Sequence, residues 1–175
     1  MLEELKRPWL VKGVIFMTMK HKDGTIERRE RQNVIVDDAS LLMAQLMKEN
    51  SGVPGIMALA MGTGDIGWDL QNPPIATASA SALVNEIDRA VSPIGLTSTY
   101  IDTGTLLPTP TRTNIVDFES TFGETEAVGT LVEMGLFGGT GAVSALGGTM
   151  VNYHTFPVWN KPSSSTLTIV WRLTF

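Results

Sequence analysis

The chain has 175 residues, a net charge of −5, 18% charged residues and no cysteine. This length suits one domain with a sizeable core. The lack of cysteine excludes disulfides and thiolate metal sites, and the negative charge argues against a protein that wraps duplex nucleic acid. No apolar run approaches the roughly 20 residues that a membrane span needs. We therefore expect neither nucleic acid nor a membrane as a partner.

The first residues predict an arm followed by a single domain. Residues 1–8 are rich in charge and lack the apolar region of a signal peptide, so we expect an N-terminal arm in front of a domain that spans residues 9–175. Apolar and polar residues alternate over residues 9–20, which predicts a strand. The pair Asp23 and Gly24 follows this strand and is a strong signal for a tight hairpin turn.

A charged strand and a helix are predicted next. Residues 25–36 return from the turn as the second strand, and its centre, residues 27–31, carries five consecutive charges. This charge suits a solvated edge strand, or alternatively a contact with an acidic partner surface. Asp37 and Asp38 can cap a helix over residues 40–48, because a carboxylate is stabilising at the positive N-terminal end.

The next segment combines a buried strand with a long loop. Residues 56–61 form a short apolar run that predicts the strand. Gly62 and Gly64 follow directly, but no third glycine and no helical pattern come after them, so the spacing does not indicate a dinucleotide site. Residues 65–82 are rich in proline and small side chains, which predicts a long loop. Loops of this length in compact domains are commonly functional.

Three further segments are predicted to lie outside the main strands. Residues 83–89 suit a short helical turn or an irregular segment, and in a helical turn Glu86 and Arg89 would share one face. A second long loop is predicted over residues 103–113, because its Thr-Pro repeats keep the backbone out of central sheet positions. The glycine-rich residues 138–148 predict a third long loop.

The remaining chain is dominated by strand patterns. Strands are predicted over residues 97–102, 114–122, 129–139, 150–156 and 166–175. The last is the clearest, because its apolar and polar residues alternate almost without exception. About eight strands with connections too short for parallel crossovers predict a mainly β fold. We expect an antiparallel β-sandwich or jelly-roll-like domain with one substantial α-helix.

The strand over residues 129–139 contains one carboxylate in an apolar setting. Both of its faces are mostly apolar, so we expect cover on both sides. Glu133 would then be buried, either as a catalytic acid or as a structural anchor. A catalytic pair with Glu86, Asp117 or Glu119 is conceivable, but nothing in the sequence places two of these carboxylates together.

The chain shows no other pattern typical of catalysis or metal binding. His21 and His154 lie far apart in the sequence, and no nucleophile turn of the Gly-x-Ser-x-Gly kind is present. Asp65 and Asp69 in one loop are a weak signal for calcium. We therefore expect no enzyme activity, no cofactor and no metal site.

The structural role suits Glu133 better. A buried carboxylate needs hydrogen-bond donors, and an arginine is a strong candidate. Arg89 and Arg172 are the predicted alternatives, and Glu86, three residues before Arg89, completes the predicted set of anchor residues. Replacing Glu133 by alanine should then lower the melting temperature.

Five short motifs lie along the chain from Gly13 onward: Asn33–Val36, Met61–Gly64, Leu83-x-x-Glu86-x-x-Arg89, Glu133–Phe137 and the closing strand Leu167–Phe175. With these motifs the chain resembles a broad group of small virion proteins of tailed bacteriophages. These proteins are described as tail-fibre or structural proteins, and similar β-sandwich proteins decorate capsids as cement proteins. The group usually has an arginine shortly before the position of Phe156, where this chain has Tyr153 and His154.

The resemblance implies a non-enzymatic virion protein that is assembled in the bacterial cytoplasm. The first expectation is a capsid decoration (cement) protein, which as a homotrimer binds the outer capsid surface and stabilises contacts between subunits of the major capsid protein. The alternative is a tail, baseplate or tail-fibre subunit. A host-receptor or carbohydrate-binding module is a further alternative, because sandwiches often bind sugars at their loops.

Overall fold

The computed structural model of the chain describes residues 11–47 and 52–175. The predicted arm over residues 1–8 and the predicted helix end at Lys48 lie outside the described residues. The strands in chain order are β1 (Lys12–His21), β2 (Ile26–Gln32), β3 (Val34–Ile35), β4 (Ile56–Gly62), β5 (Glu86–Val91), β6 (Thr97–Ile101), β7 (Pro108–Thr109), β8 (Ile115–Phe122), β9 (Gly129–Gly138), β10 (Thr149–Lys161) and β11 (Ser165–Thr174). Helix α1 (Ala39–Met47) lies between β3 and β4.

The strands form two sheets in which every recorded pairing is antiparallel. The six-stranded sheet has the order β2-β1-β11-β8-β6-β7, and the five-stranded sheet has the order β3-β10-β9-β4-β5. The expected mainly β, antiparallel sandwich is therefore confirmed, and the described residues contain one helix, α1, of nine residues.

The main core lies between the two sheets. Leu167, Ile169, Trp171 and Leu173 of β11 are completely buried, and the residues between them are half-buried. They pack in one cluster with Met134 of β9 and with apolar side chains of β1, β4, β8 and β10. The alternation of the last strand thus correctly predicted which of its faces enters the core.

Loops form a third layer over the outer face of the five-stranded sheet. A second cluster combines Ala60, Phe137 and Met150 of this sheet with Ala76 and Ala142 of the connections. Residues 131–138 of β9 are buried throughout, so the predicted cover on both sides of this strand is confirmed. The loop layer is what buries the carboxylate of Glu133.

Four predicted elements differ in the structure. The strand over residues 25–36 is interrupted at Asn33, where the chain crosses from one sheet to the other. The backbone N–H of Asn33 donates to Gly13 O at 3.3 Å. The segment 83–89 enters strand β5 instead of a helical turn. The short strand β7 lies inside the loop predicted over 103–113, at the edge of its sheet, where prolines are tolerated. Strand β10 continues beyond Phe156, and its pairing with β9 shifts in register between Thr155 and Trp159.

Candidate functional site

Strand β9 places Glu133 on the outer face of the five-stranded sheet, beside strand β4. Gly62 is the register partner of Glu133, and a Cβ atom on Gly62 would lie 2.6 Å from Glu133 Oε1. Any larger residue would displace the carboxylate. The glycine at this position therefore creates the room in which Glu133 is buried.

The Glu133 carboxylate is completely buried and accepts four hydrogen bonds. Oε1 accepts from the backbone N–H groups of Gly64 at 3.1 Å and Asn85 at 2.9 Å. Oε2 accepts from the Val84 N–H at 3.0 Å and from the Tyr153 hydroxyl at 2.8 Å. Gly64 and Val84 stand at opposite ends of the connection between β4 and β5. One side chain thus fastens both ends of this long loop to the sheet.

The Tyr153 hydroxyl takes part only as a donor. Burial raises the pKa of Tyr153, and the neighbouring Glu133 charge and their hydrogen bond raise it further. A phenol with a raised pKa keeps its proton at neutral pH, so this donor is permanently available to the carboxylate.

The expectation that Arg89 or Arg172 pairs with Glu133 was wrong. Arg89 bonds to Glu86, and Arg172 bonds to Asp117. Three backbone N–H groups and a phenol already satisfy Glu133, so its carboxylate needs no guanidinium. The sequence shows which side chains are present, but it does not show which backbone N–H groups of a loop point toward the core. The backbone donors to Glu133 were therefore not predicted.

Arg89 instead holds the third long loop. Its Nε and Nη2 atoms donate to the two carboxylate oxygens of Glu86 at 2.7 and 2.6 Å, and its Nη1 donates to Ala142 O at 2.8 Å and to Gly147 O at 3.0 Å. The guanidinium lies 4.2 Å from the centre of the Phe137 ring. The side chains of Arg89 and Glu86 are each only 5% exposed. This pair ties the connection between β9 and β10 to strand β5.

The predicted anchor residues therefore fall into two places. Glu133, Glu86 and Arg89 lie on the five-stranded sheet under the loop layer. Arg172 lies on the six-stranded sheet, where it donates to its cross-strand neighbour Asp117 at 2.7 and 2.8 Å. This hydrogen bonding raises the pKa of Arg172.

A chain of hydrogen bonds resembling a hydrolase triad lies at the β1–β2 hairpin. Ser165 Oγ and His21 Nδ1 are 2.8 Å apart, His21 Nε2 and Glu27 Oε1 are 2.7 Å apart, and Trp159 Nε1 donates to Glu27 Oε2 at 2.7 Å. Ser165 is only 1% exposed, so its hydroxyl does not face a space that a substrate could enter. These hydrogen bonds instead connect the β1–β2 hairpin to strands β10 and β11.

His154 lies on β10 with its ring stacked on Phe156, with 5.9 Å between the ring centres. Burial, and secondarily the charge of Arg31, lowers the pKa of His154 from 6.5 to about 4. The imidazole is therefore neutral at physiological pH. Among the described residues, no three histidine or carboxylate side chains are grouped so that they could hold a metal ion.

The lowered pKa of His154 predicts a pH-dependent stability. Between pH 6.5 and about 4 the unfolded chain binds a proton that the folded chain does not, so stability falls as the pH is lowered through this range. We expect a loss of about 1–3 kcal/mol from this residue. Urea denaturation of wild type and His154→Gln at several pH values measures it. The difference in stability between the two proteins should change over this range, and a constant difference would refute the assignment.

Comparison of the sequence with protein families and with curated proteins gives no match. No protein-family model matches the sequence, and no curated protein is significantly similar to it. In the described residues, no helix is long and apolar enough to cross a bilayer.

Proposed function

We propose that this protein is a non-enzymatic structural subunit of a tailed-bacteriophage virion. In this proposal it decorates the outer surface of the capsid as a homotrimer and stabilises contacts between subunits of the major capsid protein. No covalent chemistry is needed, because added interface area at the junctions between subunits is enough to resist their separation.

A rigid sandwich with fastened loops supports this role. The Glu133 site holds the connection between β4 and β5, and Arg89 holds the connection between β9 and β10. Loops that are ordered before assembly lose less conformational entropy when they bind, so they form an interface at lower cost.

The observation that carries the proposal is the set of large apolar side chains that connections between strands present to solvent. Ile66 is fully exposed, Leu146 is 74% exposed and Leu107 is 63% exposed. Ile66 belongs to the connection between β4 and β5, Leu146 to that between β9 and β10, and Leu107 to the short connection between β6 and β7. Apolar side chains at ordered loop tips are suited to burial against a partner surface.

Binding to capsids that lack this protein tests the proposal. We expect purified protein to bind such capsids of the encoding phage and to raise the temperature at which they open. The variants Ile66→Ser, Leu107→Ser and Leu146→Ser remove one exposed apolar side chain each, and at least one should weaken binding about tenfold or more. Ile26→Ser on edge strand β2 is the matched control, since Ile26 is also exposed but lies outside the loops.

Two results would contradict the proposal. The first is wild-type binding by all three loop variants. The second is a copy number of only a few per virion, because a capsid decoration protein is repeated on the order of hundreds of times by the symmetry of the shell, whereas a tail subunit is not. Light scattering of the free protein tests the trimer, which has three times the mass of one chain.

A further inference from the structure

Two adjoining clefts flank the ridge formed by Pro74 and Ile75. The first cleft, of about 730 Å³, lies between residues 32–34, residues 71–76 and residues 154–157 of β10. The second cleft, of about 460 Å³, lies between Trp68, residues 77–82 and the ring of Tyr153. Both volumes fall in the range of small-molecule sites, which is roughly 300–1,000 Å³.

The first cleft is lined by uncharged polar groups and by prolines. Its polar side chains include the four carboxamides of Gln32, Asn33, Gln71 and Asn72. The Asn33 carboxamide is turned toward Gly13 and donates to Val34 O at 3.3 Å, and the Asn72 carboxamide donates to Asp69 at 3.3 Å. The exposed carboxamides of Gln32 and Gln71 therefore offer the donors and acceptors of this cleft. The His154 ring also lines this cleft, and its Nε2 atom has no hydrogen-bond partner among the described residues. The lining contains no Asp, Glu, Lys or Arg, and the His154 imidazole in it is neutral at physiological pH because its pKa is lowered to about 4.

The second cleft combines an aromatic ring with hydroxyl groups. Trp68 packs on Gly64, where a Cβ atom would lie 2.4 Å from the indole ring, so the ring is held in place and remains half-buried. Thr77, Ser79 and Ser81 supply hydroxyls on the same cleft, and the first two are 3.2 Å apart. This lining also carries no charge.

We propose that the two clefts form one binding site for a neutral saccharide of at least two sugar units. A sugar has apolar C–H faces and a rim of hydroxyls that both donate and accept. The C–H faces match the Trp68 ring and the prolines, and the hydroxyls match the carboxamides and the serine and threonine side chains. A charged ligand would lose its hydration without gaining a charged partner, so this lining disfavours it.

An extended peptide fits the site less well, because the edge of β10 is capped where it borders the first cleft. Pro157 has no N–H to donate. The carbonyls of Pro157 and Val158 accept from Arg29 at 2.8 and 3.3 Å, and the Val158 N–H donates to Leu70 O at 2.7 Å. An added strand needs these backbone groups free.

Saccharide binding at these clefts does not require the proposed role in a virion. Its test uses the whole chain and a panel of neutral mono- and disaccharides of glucose, galactose, mannose and N-acetylglucosamine, titrated by heteronuclear NMR and calorimetry. At least one disaccharide should bind saturably at concentrations up to on the order of 10 mM. Its chemical-shift changes should be confined to residues around the two clefts, including the Trp68 indole N–H.

Exposed residues provide variants that should fold normally. Gln71→Ala and Ser79→Ala change one cleft each, and each should weaken binding at least fivefold. Asn160→Ala is the matched control, because Asn160 is an exposed carboxamide of β10 outside both clefts, and it should change affinity less than twofold. The proposal would be overturned if no saccharide bound saturably, or if both cleft variants bound with the affinity of the wild type. Binding of an uncharged peptide instead of a saccharide would also overturn it.

Discussion

Replacing Glu133 by alanine should lower the free energy of unfolding by roughly 3–5 kcal/mol. The substitution leaves the N–H groups of Gly64, Val84 and Asn85 and the Tyr153 hydroxyl without an acceptor. Each unsatisfied buried donor costs about 1–3 kcal/mol, and the total is less than the sum because the loop can shift and admit water. Urea denaturation followed by circular dichroism measures this loss.

Graded variants separate hydrogen bonding from general damage. Tyr153→Phe removes one of the four donors and should cost about 1 kcal/mol. Glu133→Gln keeps the shape of the side chain but turns an N–H₂ group toward groups that are themselves donors. Its loss of stability should therefore lie between those of Tyr153→Phe and Glu133→Ala. Glu119→Ala is the control, since Glu119 is exposed on β8, and it should change stability by less than about 0.5 kcal/mol. A loss in Glu133→Ala no larger than in this control would remove Glu133 as an anchor.

Hydrogen exchange locates the effect of the same substitution. The Glu133 carboxylate fastens the connection between β4 and β5 at both ends, so the amides of Gly64, Val84 and Asn85 should lose protection in Glu133→Ala. Amides of β11, which lies in the other sheet, should exchange as slowly as the remaining global stability allows. Uniform loss of protection would indicate general destabilisation instead of a released loop.

The parts of the fold that follow from local patterns were predictable. Strand β11 alternates because one of its faces is in the core, and the sequence alone identified that face. The two apolar faces of β9 likewise predicted cover on both sides, and therefore the burial of Glu133. In both strands, the polarity of the side chains on each face indicates whether that face is buried.

Features that depend on distant segments or on backbone groups were not predictable. The donors to Glu133 come from the two ends of a loop and from β10, and three of the four are backbone N–H groups, which every residue except proline has. The hydrogen bonds from Ser165 to His21 and on to Glu27 join three strands. Their spacing in the sequence carries no signal, so only the fold brings them together.

The Glu86–Arg89 pair shows how a correct proximity can follow from a wrong element. A spacing of three residues places the two side chains on one face only if the segment is a helical turn, which was one of the two predicted alternatives. They meet on strand β5, where a shift in its register with β4 lies next to Glu86. A regular strand would place residues three apart on opposite faces, so the irregularity is what permits the contact.

Arg89→Ala should destabilise the protein by about 3–5 kcal/mol, because it leaves the Glu86 carboxylate buried without its partner. The carbonyls of Ala142 and Gly147 also lose their donor, so the connection between β9 and β10 should become more accessible to protease. Arg89→Lys keeps the charge but cannot bond both oxygens of Glu86 and both carbonyls at once, so we expect an intermediate loss.

A second bidentate arginine–carboxylate pair among the described residues, Arg172 with Asp117, provides the matched comparison. Arg172 and Asp117 have similar distances, but their side chains are 20% and 12% exposed, against 5% for both side chains of the Glu86–Arg89 pair. Water can reach a lost partner here more easily, so Arg172→Ala should cost less than Arg89→Ala, about 1–3 kcal/mol. The double variant Arg89→Met with Glu86→Leu should recover much of the stability that Arg89→Ala loses, because it removes both buried charges. Equal losses in Arg89→Ala and Arg172→Ala would show that burial does not decide the strength of these pairs, and would refute the role assigned to Arg89.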